Sequence, residues 1–235
     1  MDTSHHPAKP RIERVEIDGQ AGWLKRPETL SRRMRLQKGD STAAFQKEKE
    51  AYRRFSTLGL PVPSLLAEGE DFFVTAESGT ILVSILRDFG AESTQFQTAV
   101  GCAAEALAQF HVMGFSHGRP ALKDICWDQT KITFIDLERV DPSRDNKKGY
   151  ALDVLVFFFS LIAETGGTGP VVQAAKQRYQ NKDTLGIWQE AQRQTGKLRV
   201  LAFVLAPLIW LLRGKREFGA IGPFLKFFSK QQTPS

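Results

Sequence analysis

Apolar residues along the chain repeat with two periods, and the switches between them mark out the elements. Phe96, Val100, Ala103, Leu107, Phe110 and Gly114 recur at three- and four-residue steps, one face of a helix that runs up to Gly114. Ala43–Leu58 has the same period, with Ala44, Phe45, Glu48, Ala51, Tyr52 and Phe55 along one side. Ser41 or Asp40 is placed to cap that helix, Gly59 to end it, and Leu60-Pro61-Val62-Pro63 continues in an extended form. Arg11–Ile17 alternates instead, with Ile12, Val15 and Ile17 as the inward candidates. The turn Asp18-Gly19 then leads into a second strand, Ala21–Lys25. Ser64–Glu68 and Phe72–Ala76 form another strand pair about Gly69-Glu70-Asp71, and Thr80–Phe89 reads as a short helix. Ile125–Trp127 and Ile132–Ile135 flank the polar turn Asp128–Lys131, a hairpin pattern. Further on, Tyr150–Asp153 opens an apolar helix and Gly166–Pro170 is a loop. Val171–Lys197 is helical and polar-rich, and Val200–Leu212 is an apolar helix interrupted near Pro207.

An N-terminal part with an antiparallel sheet plus helix, followed by a mainly helical remainder, reads as an α+β protein. Three parts are expected: a flexible tail over 1–10, an N-terminal lobe over 11–79, and a mainly helical lobe over 80–235 that starts after the hinge Glu77-Ser78-Gly79. Of the 235 residues, 42% are apolar and 25% charged, which excludes disorder as the dominant state. The net charge of +6 favours an anionic partner, although solvated faces account for many such excesses. Cys102 and Cys126 have no framework spacing and read as reduced thiols of a cytoplasmic protein. The first residues lack the basic-then-apolar run of a signal peptide, and His5 and His6 read as part of a loose terminus. The apolar runs Val154–Ala163 and Val200–Leu212 fall short of the ~20 residues that span a bilayer, so no transmembrane segment is expected. The basic, aromatic stretch Lys215–Phe228 suits either packing on the helical lobe or contact with an anionic membrane surface.

Candidate chemistry collects around His117-Gly118-Arg119-Pro120-Ala121-Leu122-Lys123-Asp124 and the following Asp136-Leu137-Glu138. The long helix delivers this loop, and the hairpin returns Asp136 towards Asp124. Two loop carboxylates held by regular elements suit Mg²⁺, a hard cation that takes oxygen ligands. A second feature is Glu48, a carboxylate among the apolar positions of its helix, which requires a cation if it is buried.

The spacing of His117, Asp124 and Asp136 resembles the protein-kinase-like catalytic loop H-x-D-x-x-x-x-N followed by a metal-binding aspartate. The resemblance is closer to the bacterial kinases of lipopolysaccharide inner-core sugars (the Kdo/heptose kinase family), in which Asp-x-Glu or Asp-x-Asp commonly replaces D-F-G. The resemblance implies a two-lobed kinase-like fold, with an antiparallel sheet plus helix in the small lobe. It implies ATP and Mg²⁺ as cofactors and a sugar or glycolipid acceptor, with peripheral association at the cytoplasmic face of the inner membrane. Lys25 would grip nucleotide phosphates, with Arg35 and Lys38 as rivals, and Glu48 would orient it, with Glu50 as the competitor. Adenine would meet the backbone near Thr75–Glu77. Asp124, Asp136 and Glu138 would hold metal, and His117 would brace the loop. Asp153 would clamp the loop's backbone, with simple helix capping as the rival role.

Two departures stand out. Arg119 occupies the position of the catalytic-base Asp, and arginine cannot accept a proton. No Gly-rich phosphate loop is present, only Gly19 and Gly22. Asp124 as base, a substrate that needs no base, and loss of transfer all remain open. The leading expectation is a sugar phosphotransferase, and the alternative is a nucleotide-binding pseudokinase or scaffold. A protein or small-metabolite acceptor has no docking motif behind it, and nucleic-acid binding is not expected because the basic residues are scattered.

Overall fold

The computed structural model describes residues 10–27, 41–204 and 216–229, with the side chains of 41, 197–204 and 216 left aside. The tail up to residue 9, the rivals Arg35 and Lys38, the capping candidate Asp40 and the helix break at Pro207 all lie outside the described residues. The chain divides into two compact units, Met1–Ser78 and Gly79–Ser235. The architecture is α+β, with a small antiparallel sheet at the N-terminal end and a mostly helical remainder.

In the first unit, strands β1 (Ile12–Ile17), β2 (Gln20–Lys25), β3 (Leu65–Glu68) and β4 (Phe73–Ala76) pair antiparallel in the order β1-β2-β4-β3. Asp18 and Gly19 both have positive φ, which the tight turn between β1 and β2 demands. Ile12 is 53% exposed, against the expectation that it points inward. A strand has period two, so the half-buried Val15 and Ile17 share one face and Ile12 falls on the other. Helix α1 (Ser41–Thr57) buries Phe45, Glu48, Lys49, Ala51, Tyr52 and Phe55, while Ala44 is exposed. Phe45 and Tyr52 pack on Phe73 of β4 at ring separations of 5.2 and 5.6 Å. Each such aromatic side chain contributes about 1.5–3 kcal/mol by burial alone. Gly59, at φ 71°, ends the helix as expected.

The second unit begins with β5 (Thr80–Ile81), followed by α2 (Leu82–Phe89) and α3 (Thr94–Val112). The short helix expected from Thr80 therefore starts two residues later. Thr80 and Ile81 instead pair with β6 (Ile125–Trp127), which pairs in turn with β7 (Ile132–Phe134). The β6–β7 turn is held by Asp128, whose Oδ1 accepts from the amides of Thr130 and Lys131 at 2.9 and 2.8 Å. Ser93 caps α3 by accepting from the Phe96 amide, and Phe96, Val100, Ala103, Leu107 and Phe110 of the predicted face are buried, while Gly114 is exposed and lies past the helix end at Val112.

Helix α4 (Lys147–Thr165) is buried over most of its length, followed by α5 (Pro170–Lys182), α6 (Ile187–Val204) and α7 (Arg216–Phe227). The single helical stretch expected over Val171–Lys197 is in fact two helices. Asp183 separates them, because its carboxylate accepts from the amides of Ile187 and Trp188 at 2.9 and 2.7 Å and starts a new helix. The aromatics of the C-terminal stretch pack inward. Phe228 stacks on Trp188 at 4.7 Å and Phe224 meets Phe159 edge-on at 5.3 Å, so Phe224 and Phe228 are buried. No helix among the described residues is long and apolar enough to cross a membrane.

Candidate functional site

Within the first unit, β2 presents Lys25 and α1 presents Glu48 to each other. Lys25 Nζ lies 2.7 Å from both carboxylate oxygens of Glu48. Glu48 is 2% exposed, and a carboxylate so deeply buried is stable only with a cation beside it. The rival Glu50 is exposed and pairs with Arg53 on the helix surface. Glu77, expected near adenine, pairs with Arg14 at 2.9 Å on an exposed surface, and its amide donates to the Ala21 carbonyl. Lys49 Nζ donates to the Gly69 carbonyl at 2.7 Å, a buried contact the helical period alone did not reveal.

In the second unit the loop after α3 is built around Asp153, in the second turn of α4. Its Oδ2 accepts from the His117 amide at 2.6 Å and the Ser116 hydroxyl at 3.1 Å, and its Oδ1 accepts from the Gly118 amide at 2.9 Å. Helix capping, the rival role for Asp153, belongs to Asn146, whose side chain accepts from the amides of Lys148 and Gly149. Gly118 sits at φ 90°, and a Cβ there would meet the Arg139 carbonyl at 2.2 Å, so the loop's path requires glycine.

His117 ties this loop to the hairpin. Its Nε2 donates to the Ile135 carbonyl at 3.1 Å while Nδ1 accepts from the Arg119 amide at 3.3 Å. That pattern is the neutral tautomer with its proton on Nε2, and full burial lowers the imidazole's pKa and keeps it neutral. His111 and Tyr179 extend the network beyond what the motif reading found. His111 lies 3.4 Å from Asp153 Oδ2 through Nε2 and 2.9 Å from the Tyr179 hydroxyl through Nδ1. His111 showed only as one more position near the end of an apolar helix. Its place one turn before a buried loop was the available signal.

Four of the predicted residues meet. Asp136 follows β7 in the left-handed region (φ 63°, ψ 63°), a conformation aspartate tolerates better than most residues. Arg119 Nη2 lies 2.6 Å from Asp136 Oδ2 and 3.5 Å from Glu138 Oε1, and Arg119 Nε lies 3.7 Å from Asp124 Oδ2. Asp124 is 4% exposed. Burial, with the negative charge of Asp136 added, pushes its carboxyl up to about 6. Arg119 Nε and Asp124 Oδ2 are the two buried side-chain polar atoms among the described residues without a hydrogen-bond partner. Cys126, at the centre of β6 and paired with Thr133 of β7, is a buried free thiol whose pKa desolvation pushes up to about 12, an inert group.

The three carboxylates expected to hold Mg²⁺ have the right donor chemistry, but they are arranged around a guanidinium. Mg²⁺ demands near-octahedral oxygens at about 2.0–2.1 Å. Here the space between Asp136, Glu138 and Asp124 is taken by Arg119, a cation that stays charged. No group of three or more metal-ligating side chains arranged for an ion occurs among the described residues. As folded, these residues do not fit the metal.

No protein-family model matches the chain. An uncharacterized protein of Haemophilus influenzae is 30% identical to it over 184 residues, covering 77% of this chain and 76% of the relative.

Proposed function

The chain belongs to one family with that Haemophilus influenzae protein, and we propose that it is a nucleotide-binding protein of the protein-kinase-like fold that serves as a regulatory or scaffolding module. The observation that carries this reading is the Lys25–Glu48 pair, a strand lysine held by a helix glutamate at 2.7 Å. A lysine fixed in this way offers a positioned ammonium to a phosphate, the role it has in kinase-like folds. In the second unit the loop is braced by Asp153 and His117, yet the base position holds Arg119, tied to Asp136. Such a loop keeps the shape of a catalytic one while lacking the group that accepts the hydroxyl proton.

ATP at millimolar concentration should raise the melting temperature of the purified chain, and Lys25→Ala should remove the shift. A chain that ignores ATP, ADP and GTP alike would sink the nucleotide reading.

One observation favours a second reading, an ATP-dependent phosphotransferase for a sugar hydroxyl of the lipopolysaccharide inner core, working at the cytoplasmic face of the inner membrane. Asp124 is buried, lacks a hydrogen-bond partner at Oδ2, and has its carboxyl raised to about 6, within the range useful for a general base at neutral pH. Transfer of labelled γ-phosphate to a core glycolipid, abolished by Asp124→Asn, would establish this reading over the first. ATP binding without transfer to that acceptor would leave the module reading standing.

A further inference from the structure

We infer that Arg119 is a built-in replacement for a divalent cation, so that the centre formed by Asp124, Asp136 and Glu138 excludes metal and any nucleotide is bound without metal dependence. The inference deepens the nucleotide reading and rests on it only for the nucleotide arm of the test below.

The charge balance supports it first. The three carboxylates bring three negative charges to one corner of the second unit. Arg119 touches all three, Lys123 Nζ lies 3.9 Å from Asp124 Oδ1, and Arg139 Nε lies 3.7 Å from Glu138 Oε1. Three cations thus face three anions, and the attraction that would draw in a divalent ion is already met. Lys123 and Arg139 are both more than 60% exposed and screened by solvent, whereas Arg119 is two-thirds covered and does most of the neutralising.

Geometry supports it second. A guanidinium is planar and donates in fixed directions, so it cannot satisfy three carboxylates from separate chain segments equally. Asp136 receives a short, charge-assisted hydrogen bond, Glu138 a marginal one, and Asp124 an ion pair only: its Oδ2 and the Arg119 Nε remain 3.7 Å apart, and neither has a hydrogen-bond partner. The Oδ2 that lacks a hydrogen bond, on a side chain 94% buried, therefore points into a cluster whose shape a spherical cation would serve better than the flat group present. Removing the guanidinium should leave a three-carboxylate site that takes a hard divalent ion.

Mn²⁺ is the probe, because its free fraction is read directly by electron paramagnetic resonance. The wild-type chain should show no Mn²⁺ site tighter than millimolar. Arg119→Ala should gain one site at least about tenfold tighter, and Asp124→Asn in the Arg119→Ala background should remove it. Refolding of Arg119→Ala on addition of Mn²⁺ would count as the same gain. Two results overturn the inference: a tight Mn²⁺ site in the wild type that Asp136→Asn abolishes, or a folded Arg119→Ala that gains none.

If Arg119→Ala fails to fold with or without Mn²⁺, the wild-type melting curve decides. Equal melting temperatures in Mg²⁺ and in EDTA support the inference, and stabilisation by Mg²⁺ that Asp136→Asn removes overturns it. In the nucleotide arm, ATP should stabilise the wild type equally in Mg²⁺ and in EDTA, and a shift confined to Mg²⁺ overturns metal-free binding. Absence of any nucleotide binding would remove the functional reading above and leave the Mn²⁺ measurements to judge Arg119 on their own.

Discussion

Asp153 and Asp124 are the same residue type, in the same unit, at 1% and 4% exposure, and the structure treats them in opposite ways. Asp153 accepts from two backbone amides and a hydroxyl, with the His111 imidazole also within reach. Asp124 leaves Oδ2 without a donor and has its carboxyl pushed up to about 6. Burial alone therefore does not say what a carboxylate is for. A carboxylate whose oxygens are both occupied by fixed donors is part of the scaffold. One whose oxygen is buried and unoccupied keeps a chemical capacity the fold has not used, which marks it as a functional candidate.

The sharpest way to break this comparison is to remove Asp153. Asp153→Ala leaves the amides of His117 and Gly118 and the Ser116 hydroxyl without their acceptor. Stranded buried donors cost about 1–3 kcal/mol each, so a loss of about 3–5 kcal/mol is expected in urea unfolding. Asp153→Asn keeps one acceptor oxygen and should fall between the variant and the wild type. A loss below about 1 kcal/mol would mean the loop holds its shape without the clamp.

Asp124 should behave in the opposite sense, and pH reveals it. Its carboxyl, ordinarily at 3.8, lies at about 6 in the folded chain, so the folded state holds this proton more tightly than the unfolded one. The stabilisation it contributes is fully present below about pH 3.8 and lost as pH rises through about 6. Asp124→Asn removes that dependence. Relative to its standing at pH 4, the variant should gain about 1–3 kcal/mol over the wild type by pH 7.5, measured by urea unfolding across the range. Parallel pH profiles for the two proteins would show that Asp124 is as well accommodated as Asp153.

The same contrast separates what was legible in the sequence from what was not. Period-3.6 and period-2 patterns gave the helices and strands because burial of one face is a local property of residue order. Glu48 was legible for the same reason, as a carboxylate on an apolar face. Asp153 was legible as a buried acid that had to find donors, but its place in the second turn of α4 followed from Asn146 capping the helix earlier than the apolar run suggested. Ser116 and Tyr179 were not legible, and His111 had only its place one turn before the loop, because a hydrogen-bond network joining residues up to 68 positions apart has no periodic trace. Arg119 was noticed as a substitution at the base position. Its pairing with Asp136, Glu138 and Asp124 depends on the left-handed turn at Asp136, which residue types alone do not fix.

The smallest effect comes from the donor side of the clamp. Ser116 is fully buried and donates to Asp153 Oδ2 at 3.1 Å, while its own amide donates separately to Asp145 Oδ1 at 2.9 Å. Ser116→Ala deletes the hydroxyl and keeps the amide contact. The oxygen it leaves behind still accepts from the His117 amide at 2.6 Å, so no buried group is orphaned. Removing such a donor costs about 0.5–1.5 kcal/mol, because only the net value of one hydrogen bond is lost. Asp153→Ala loses the same contact together with two others and strands every donor, so its cost should be at least about twice that of Ser116→Ala. A Ser116→Ala loss as large as that of Asp153→Ala would place the clamp's strength in the hydroxyl rather than in the two amides, and would make Ser116 the centre of the loop.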